Sequence, residues 1–424
     1  MTRQNEAAPA STAAAGGTLL RPNPAGAAQR PIRLLTFSTL YPNAAQPNHG
    51  VFVESRLRHL VASGEARSLV LAPTPWFPSR ADRFGRWARY AAVPAEERRH
   101  GLRLLHPRFL ALPGLGLLTG PASLYLAARA ALARLLAEGL EIDAIDGHYL
   151  YPDGIVAVWL GLEFGKPVVL TARGSDVSQL PGYRLPRRAI RRAIVGADAL
   201  IAVSAGLKEG LVALGAPPGK VTVLRNGVDL RSFRPPSCRR TARAALGLGA
   251  EPVLLSVGHL IERKGHHHII AALPALPGHR LLIVGEGPDR AALGALAQSL
   301  GVAERVQFAG AQPHALLPLY FGAADALVLA SSREGWANVL LEAMACGTPV
   351  VASPAWGSRE AVAAPAAGLV LEEASPAAIA EGVRRLLASP PDRAATRAYA
   401  EGFSWEATTE GQLALFRRVM AARC

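Results

Sequence analysis

From Ile32 onward, short apolar runs alternate along the chain with longer stretches in which apolar residues recur at helical spacing. IRLLTF, RSLVLAP, IDAIDGH, PVVLTARG, ADALIAVS and KVTVLRNG each close on glycine, a polar residue or a turn signal. Strands buried on both faces are apolar almost throughout rather than every second residue, so this series predicts a parallel sheet covered by helices. The pattern restarts at Pro252 with PVLLSVG, RLLIVGEG, RVQFAGA, ADALVLAS and TPVVAS, separated by helical stretches such as AALGALAQSL. Between the two series VDLRSFRPPSCRR has paired prolines and no periodicity, which predicts a linker.

The length agrees with two cores, because 424 residues exceed the size at which a single core stops growing. The expected organisation is a disordered leader over 1–30, an N-terminal domain over 31–230, a linker over 231–250, a C-terminal domain over 251–400 and a closing helix over 401–424. Ligands of open α/β sheets sit outside the carboxyl ends of the strands, so two crevices are expected to face one another across the linker.

Charge and cysteine content change this picture little. The formal charge of +14 invites an anionic partner, but lysine occurs only at 166, 208, 220 and 264, so an arginine bias accounts for much of it. Cys238, Cys346 and Cys424 show no metal spacing, which predicts a reduced, cytosolic chain. The N-terminus lacks the apolar core of a signal peptide. Residues 109–128 carry no charge over a length that could nominally span a bilayer. Pro113, Gly114, Gly116, Gly120 and Pro121 argue instead for a loop plus a buried helix, or a contact with a membrane surface.

Candidate chemistry concentrates in REGWANVLLEAMACGTPVVAS, where two acids stand in a nearly uncharged segment. The sequence reads as a tight loop and then a helix ended by Gly347 and Pro349. The helix begins where a strand delivers the chain, so its free N–H groups and dipole form an anion site. Trp336, Ala337 and Asn338 would offer backbone donors to a diphosphate, Glu342 would accept from a ribose diol, and Glu334 would hold sugar hydroxyls. The plainer alternative makes Glu334 a solvated loop charge and Glu342 the partner of an arginine. SVGHLIERKG places Arg263 and Lys264 in a turn after a strand, where cations suit a leaving diphosphate. His266, His267 and His268 point in directions about 100° apart on a helix and do not converge on a metal. DGHYLYPDG puts His148 at a strand end, TARGSDV puts Arg173 and Asp176 in the next such turn, and Gly50 opens an apparent helix after the first strand.

The ordered series of the Gly50 loop, His148, ARGSD, VLRNGVDLRSF, SVGHLIERKG, VGEGP and EGWANVLLEAMACGTPVVAS resembles a retaining glycosyltransferase of the GT-B fold, family four, over residues 32 to about 420. The resemblance implies an α/β fold of two Rossmann-like domains facing each other across a cleft. It makes Glu334 and Glu342 an E-x7-E pair, Lys264 the diphosphate lysine, His148 the active-site histidine and Gly50 the glycine-loop position. His148, Lys264 and Glu334 are then the catalytic candidates, with Gly50, His259, Arg263, Trp336, Ala337, Asn338 and Glu342 on the donor and Arg173 and Asp176 on the acceptor side. His259 stands where many members have arginine, which leaves open whether His259 or Arg263 completes the clamp.

It also implies hexosyl transfer from a nucleotide sugar, with no cofactor and no essential metal, in keeping with the absence of an Asp-x-Asp. YPN…GVFVE, HYLYPDG and ARGSD resemble the branch serving bacterial surface and exported polysaccharides, including teichuronic-acid-type pathways. The expected partners are a glycan or polyprenyl-diphosphate-linked acceptor and an anionic membrane surface, and not nucleic acid. Trp76, Phe77, Phe84, Trp87 and Tyr90 interleaved with arginines, and Arg187, Arg188, Arg191 and Arg192 on one helix face, suit a protein peripheral to the inner face of the plasma membrane; solvated basic helices explain them equally. A GT-B sugar-nucleotide epimerase and a non-enzymatic binder of membranes or nucleic acid are the alternatives. No full G-x-G-x-x-G follows a strand, which disfavours a dinucleotide-dependent oxidoreductase.

Overall fold

The computed structural model describes residues 30–111 and 116–423; the expected leader up to residue 29, Pro113, Gly114 and Cys424 lie outside the described residues. The first series of strands comprises β1 (Ile32–Phe37), β2 (Ala66–Leu71), β3 (Thr74–Pro75), β4 (Glu96–Arg99), β5 (Leu102–Leu105), β6 (Arg108–Phe109), β7 (Ala144–His148), β8 (Val168–Ala172), β9 (Ala199–Ala202) and β10 (Val221–Val223). One sheet runs β10-β9-β8-β7-β1-β2-β5-β4, parallel except at the β4–β5 hairpin, while β3 and β6 pair apart from it. Every residue of β7 and β8 is buried, as central parallel strands between helical layers require.

The second series comprises β11 (Val253–Val257), β12 (Arg280–Val284), β13 (Val306–Gly310), β14 (Ala326–Leu329), β15 (Val350–Ala352) and β16 (Gly368–Val370). They form an all-parallel sheet in the order β13-β12-β11-β14-β15-β16. In both sheets the chain reverses its direction of travel beside the first strand, between β1 and β7 and between β11 and β14. Such switch points leave a crevice at the strand ends, and the candidate residues cluster at both.

The sequence pattern anticipated most of the apolar strands, the three-residue β10 and β15 among them, and missed β3, β4, β5, β6 and β16. Strand β4 is EERR, an edge strand whose charges deter further pairing and hide it from a search for apolar runs. It turns into β5 through His100 and Gly101, both with positive φ, the backbone that a two-residue hairpin needs.

Two other segments acquire structure from packing. Within 231–250 the chain forms the helix Arg239–Ala245, and Arg239 and Arg243 both reach Asp325 beside β14. Phe233 is buried against Phe321, so this crossing is packed rather than a free tether. The helix Gly116–Ala137 begins in the uncharged segment and runs nine residues beyond it, past Arg129 and Arg134, burying Leu124, Ala128, Leu132 and Leu135 along one face. Among the described residues no helix is long and apolar enough to cross a membrane. The last helix, Trp405–Ala421, returns to the first sheet, where Trp405 stacks on His59 at 5.1 Å and Leu413, Phe416 and Val419 join the core around Leu57 and Leu60.

Candidate functional site

In the second region the strand end, the turn after β11 and one helix terminus converge. The chain leaves β14 at Leu329 and enters the helix Asn338–Ala345, whose N-terminus opens at the crevice with no side-chain cap. The loop between them is laced to the 262–264 turn: Ser332 N–H donates to the Arg263 carbonyl and Arg263 donates to the Arg333 carbonyl, both at 2.9 Å. Lys264 Nζ then reaches Glu334 Oε1 at 2.6 Å. Burial works to raise the Glu334 carboxyl, yet the charge and hydrogen bond of Lys264, aided by Arg263, hold it below the ordinary carboxylate range. Glu334 is thus an anion held against a cation that still has two donors to give. His259 lies exposed on the same turn.

Glu342 lies one turn into the helix and accepts from His314 at 3.1 Å. Trp336 is buried, and its indole donates to the Asn226 carbonyl at 3.1 Å. The Asn226 amide donates in turn to Asn338 Oδ1 at 3.1 Å. The side chains of Trp336 and Asn338 are therefore engaged by the 225–226 crossing, which leaves the backbone of 336–338 as the candidate anion contact.

The first region presents the opposite arrangement. His148 closes β7 and is 1 % exposed. Its Nε2 donates to Asp146 at 3.1 Å and its Nδ1 accepts from Arg173 at 2.7 Å, which fixes a neutral ring with both nitrogens occupied by protein. Burial, outweighing the pull of Asp146, keeps the imidazole below its usual pKa. The Asp146 carboxyl is pushed up by burial but held down on balance by His148, Arg56 and Arg173. Burial drops the guanidiniums to about 9 for Arg56 and about 10 for Arg173. Asp176 accepts from the N–H groups of Leu150, Arg173 and Gly174 at 3.0, 3.0 and 2.7 Å, tying the ARGSD turn to HYLYPDG. Asp153 likewise accepts from Thr39 N–H at 2.8 Å, and burial pushes its carboxyl up to about 7. Gly50 has φ 73°, and a Cβ there would stand 2.3 Å from the Leu40 carbonyl oxygen. The space that glycine frees is filled by the preceding loop.

The two regions meet at glycine. A Cβ on Gly335 would stand 2.2 Å from the Arg173 carbonyl oxygen, so the Glu334 loop and the ARGSD turn touch along their backbones. Asn226 joins them again, because its Oδ1 accepts from Arg56 at 3.2 Å and Arg173 at 3.3 Å while its amide holds Asn338. Beside this junction a cavity of 570 Å³ is lined by Pro181, Arg187, Leu214, Arg333, Glu334 and Trp356. Arg56, Asp146, Asp153, Asn226 and His314 were missed as site residues. Asp146 was readable, since it precedes His148 by two positions in one strand and so shares its face; the others depend on distant partners.

Solved structures share this fold across almost the whole chain. A sucrose-phosphate synthase from Thermosynechococcus elongatus superposes with a TM-score of 0.76 at 24% identity, covering 93% of this chain and 100% of that one. The Anabaena protein HepE, solved with UDP and glucose, gives 0.68 at 20% identity over 91% and 99%. The architecture is that of the GT-B glycosyltransferases. Residues 92–232 match the family described as glycosyltransferase family 4 and residues 239–403 match the family described as glycosyl transferases group 1. Curated relatives include the D-inositol 3-phosphate glycosyltransferases of Segniliparus rotundus, 40% identical over 218 residues, and Mycobacterium tuberculosis, 35% identical over 301. These alignments cover 48% and 66% of this chain, and span only 48% and 62% of the length of those relatives.

Proposed function

We propose that this protein transfers a hexosyl group from a nucleoside-diphosphate sugar to a phosphate-bearing acceptor, with retention of anomeric configuration. The observation that carries the reading is Lys264 and Glu334 paired at 2.6 Å beside the open N-terminus of the helix Asn338–Ala345, with Glu342 one turn further on. As the bond from the anomeric carbon to the diphosphate oxygen breaks, the diphosphate leaves with the electron pair. Lys264, the positive field of Arg263 and the helix N–H groups stabilise that charge, a term worth about 10²–10³ in rate for a single well-placed donor. The acceptor hydroxyl attacks from the face that the diphosphate leaves, and its proton passes to a diphosphate oxygen, so configuration is kept. Glu334 accepts from sugar hydroxyls and Glu342 from the ribose. His148, with both nitrogens occupied, acts by holding Arg173 rather than by touching the sugar. These cations take the place of a metal, so EDTA should leave turnover unchanged.

The 570 Å³ cavity, with Arg187 and Arg333 on an otherwise largely apolar wall that reaches Glu334, supports an anionic acceptor. Our reading is a lipid-linked diphosphate acceptor of surface polysaccharide synthesis, met at an anionic membrane. Trp76 and Leu110 lie half or more exposed, Arg83 and Arg86 lie over the rings of Phe84 and Trp87, and the helix Arg184–Gly196 presents Leu185 and Val195 among its arginines. The names of the curated relatives favour a second acceptor, a small phosphorylated polyol.

The test is calorimetry with UDP, GDP and ADP on the unmutated protein and on Lys264→Ala and Glu342→Ala, followed by product analysis with the matching sugar nucleotide. The expected result is one nucleotide bound and both substitutions weakening it at least tenfold. Polyprenyl-diphosphate-linked glycan and inositol phosphate, supplied separately, distinguish the acceptors; product formed without an acceptor would indicate an epimerase. No nucleotide binding by the unmutated protein would overturn the assignment.

A further inference from the structure

His314 stands outside every motif in the sequence, yet it is the residue that touches Glu342. It follows β13 in a short turn, His314–Leu316, and its Nε2 lies 3.1 Å from Glu342 Oε1. The ring packs edge-on against Phe233 at 5.1 Å, and Phe233 is buried against Phe321 at 6.0 Å. An aromatic face on one side and a carboxylate on the other fix the imidazole. Asp229 and Arg58 also lie within electrostatic reach of it. Glu342 Oε2 has no hydrogen-bond partner among the described residues. One oxygen is thus pinned while the other is presented in a set direction. The Glu342 side chain remains 14% exposed, so a ligand can reach it.

We propose that His314 is a positioning residue that aims the Glu342 carboxylate at the 2′ and 3′ hydroxyls of the donor nucleoside, making the site selective for ribonucleotides. The inference rests on the donor site proposed above. A free glutamate must lose rotamer freedom when it receives a diol, and a carboxylate already held by His314 has lost much of it before the ligand arrives. The 312–316 turn, placed by β13, thereby tunes a residue that belongs to the helix after β14.

Calorimetry with the nucleoside diphosphate that the unmutated protein binds, and with its 2′,3′-dideoxy counterpart, tests this. His314→Ala should weaken the ribonucleotide by about tenfold and leave the dideoxy nucleotide within about twofold. His314→Gln, whose amide can still donate to Oε1, should recover most of the loss. The double variant with Glu342→Ala should bind no more weakly than Glu342→Ala alone. Equal losses for both nucleotides, full additivity in the double variant, or tighter ribonucleotide binding by His314→Ala would each overturn the proposal, the last because His314 would then be competing with ribose for the carboxylate. Failure of the unmutated protein to bind any nucleoside diphosphate would sink the donor site itself, and that titration, run first, separates the two failures.

Discussion

The two crevices carry similar kinds of residues and treat them differently. In the second region Lys264, Glu334, His314 and Glu342 are paired at the surface, each with spare hydrogen-bonding capacity and partial exposure. In the first region Asp146 and His148 are 1 % exposed and Arg56 joins them in burial, with Arg173 and Asn226 closing the set. Side chains with spare donors and acceptors at a surface can meet a ligand. Side chains paired with one another out of reach of water hold a shape, although Asp146 Oδ1, Arg56 Nε and Nη2 and Arg173 Nε are buried there with no hydrogen-bond partner among the described residues. A histidine at a strand end is therefore weaker grounds for substrate contact than a lysine on a turn whose side chain is 19% exposed, although both stand in the same kind of place.

The sharpest way to break this contrast is to remove charge from each side. Asp146→Asn leaves two buried guanidiniums without their shared counter-charge and should cost about 3–5 kcal/mol of stability, seen as an earlier urea midpoint. The variant that remains folded should bind nucleotide within about twofold of the unmutated protein. A large loss of nucleotide affinity with unchanged stability would move the first-region network from scaffold to site.

A smaller effect comes from pH. The Asp153 carboxyl titrates near 7 in the folded chain, against about 4 when unfolded. Between those values the folded state binds the extra proton, so this group's contribution is full below about pH 4 and is lost as pH rises through 7, by up to about 1.4 kcal/mol per pH unit. Asp153→Asn should flatten the fall in stability between pH 5 and 8; an unchanged slope would assign that fall to other groups.

The smallest expected effect lies between the regions. Arg225 meets Glu360 at 2.5 Å, and Glu360 also accepts from Ala205 N–H at 2.7 Å. The pair is partly exposed, and the amide of Glu360→Gln can still accept from Ala205, so the loss should stay below about 1 kcal/mol and shrink in salt. A larger, salt-independent loss in urea melts would mean that this tie, rather than the Asn226 junction and the touching glycine loops, holds the regions together.

Much of the architecture was legible because strands buried on both faces are written as apolar runs, and helix caps and turns are written in glycine, proline and serine. EERR and the crossing after Phe233 were not, since a charged edge and a helix packed by distant partners leave little local trace, and GLV was missed although VTV and VVA, equally short, were read. The donor-side residues were legible for a related reason. Glu334, Glu342 and the helix start share one strand-loop-helix unit, so their spacing is local.

What required the tertiary structure was every relation between segments far apart in the chain. That Lys264 neutralises Glu334 seventy residues on, that Asn226 holds Arg56, Arg173 and Asn338 at once, and that His314 faces Glu342 all depend on sheet order. The sequence by itself determined the strands, the turns and the residue types at their ends, because those follow from burial and backbone geometry within a few residues. Only the tertiary structure decided which of those residues are consumed by one another and which remain free to bind, because an unsatisfied donor or acceptor is a property of everything around it.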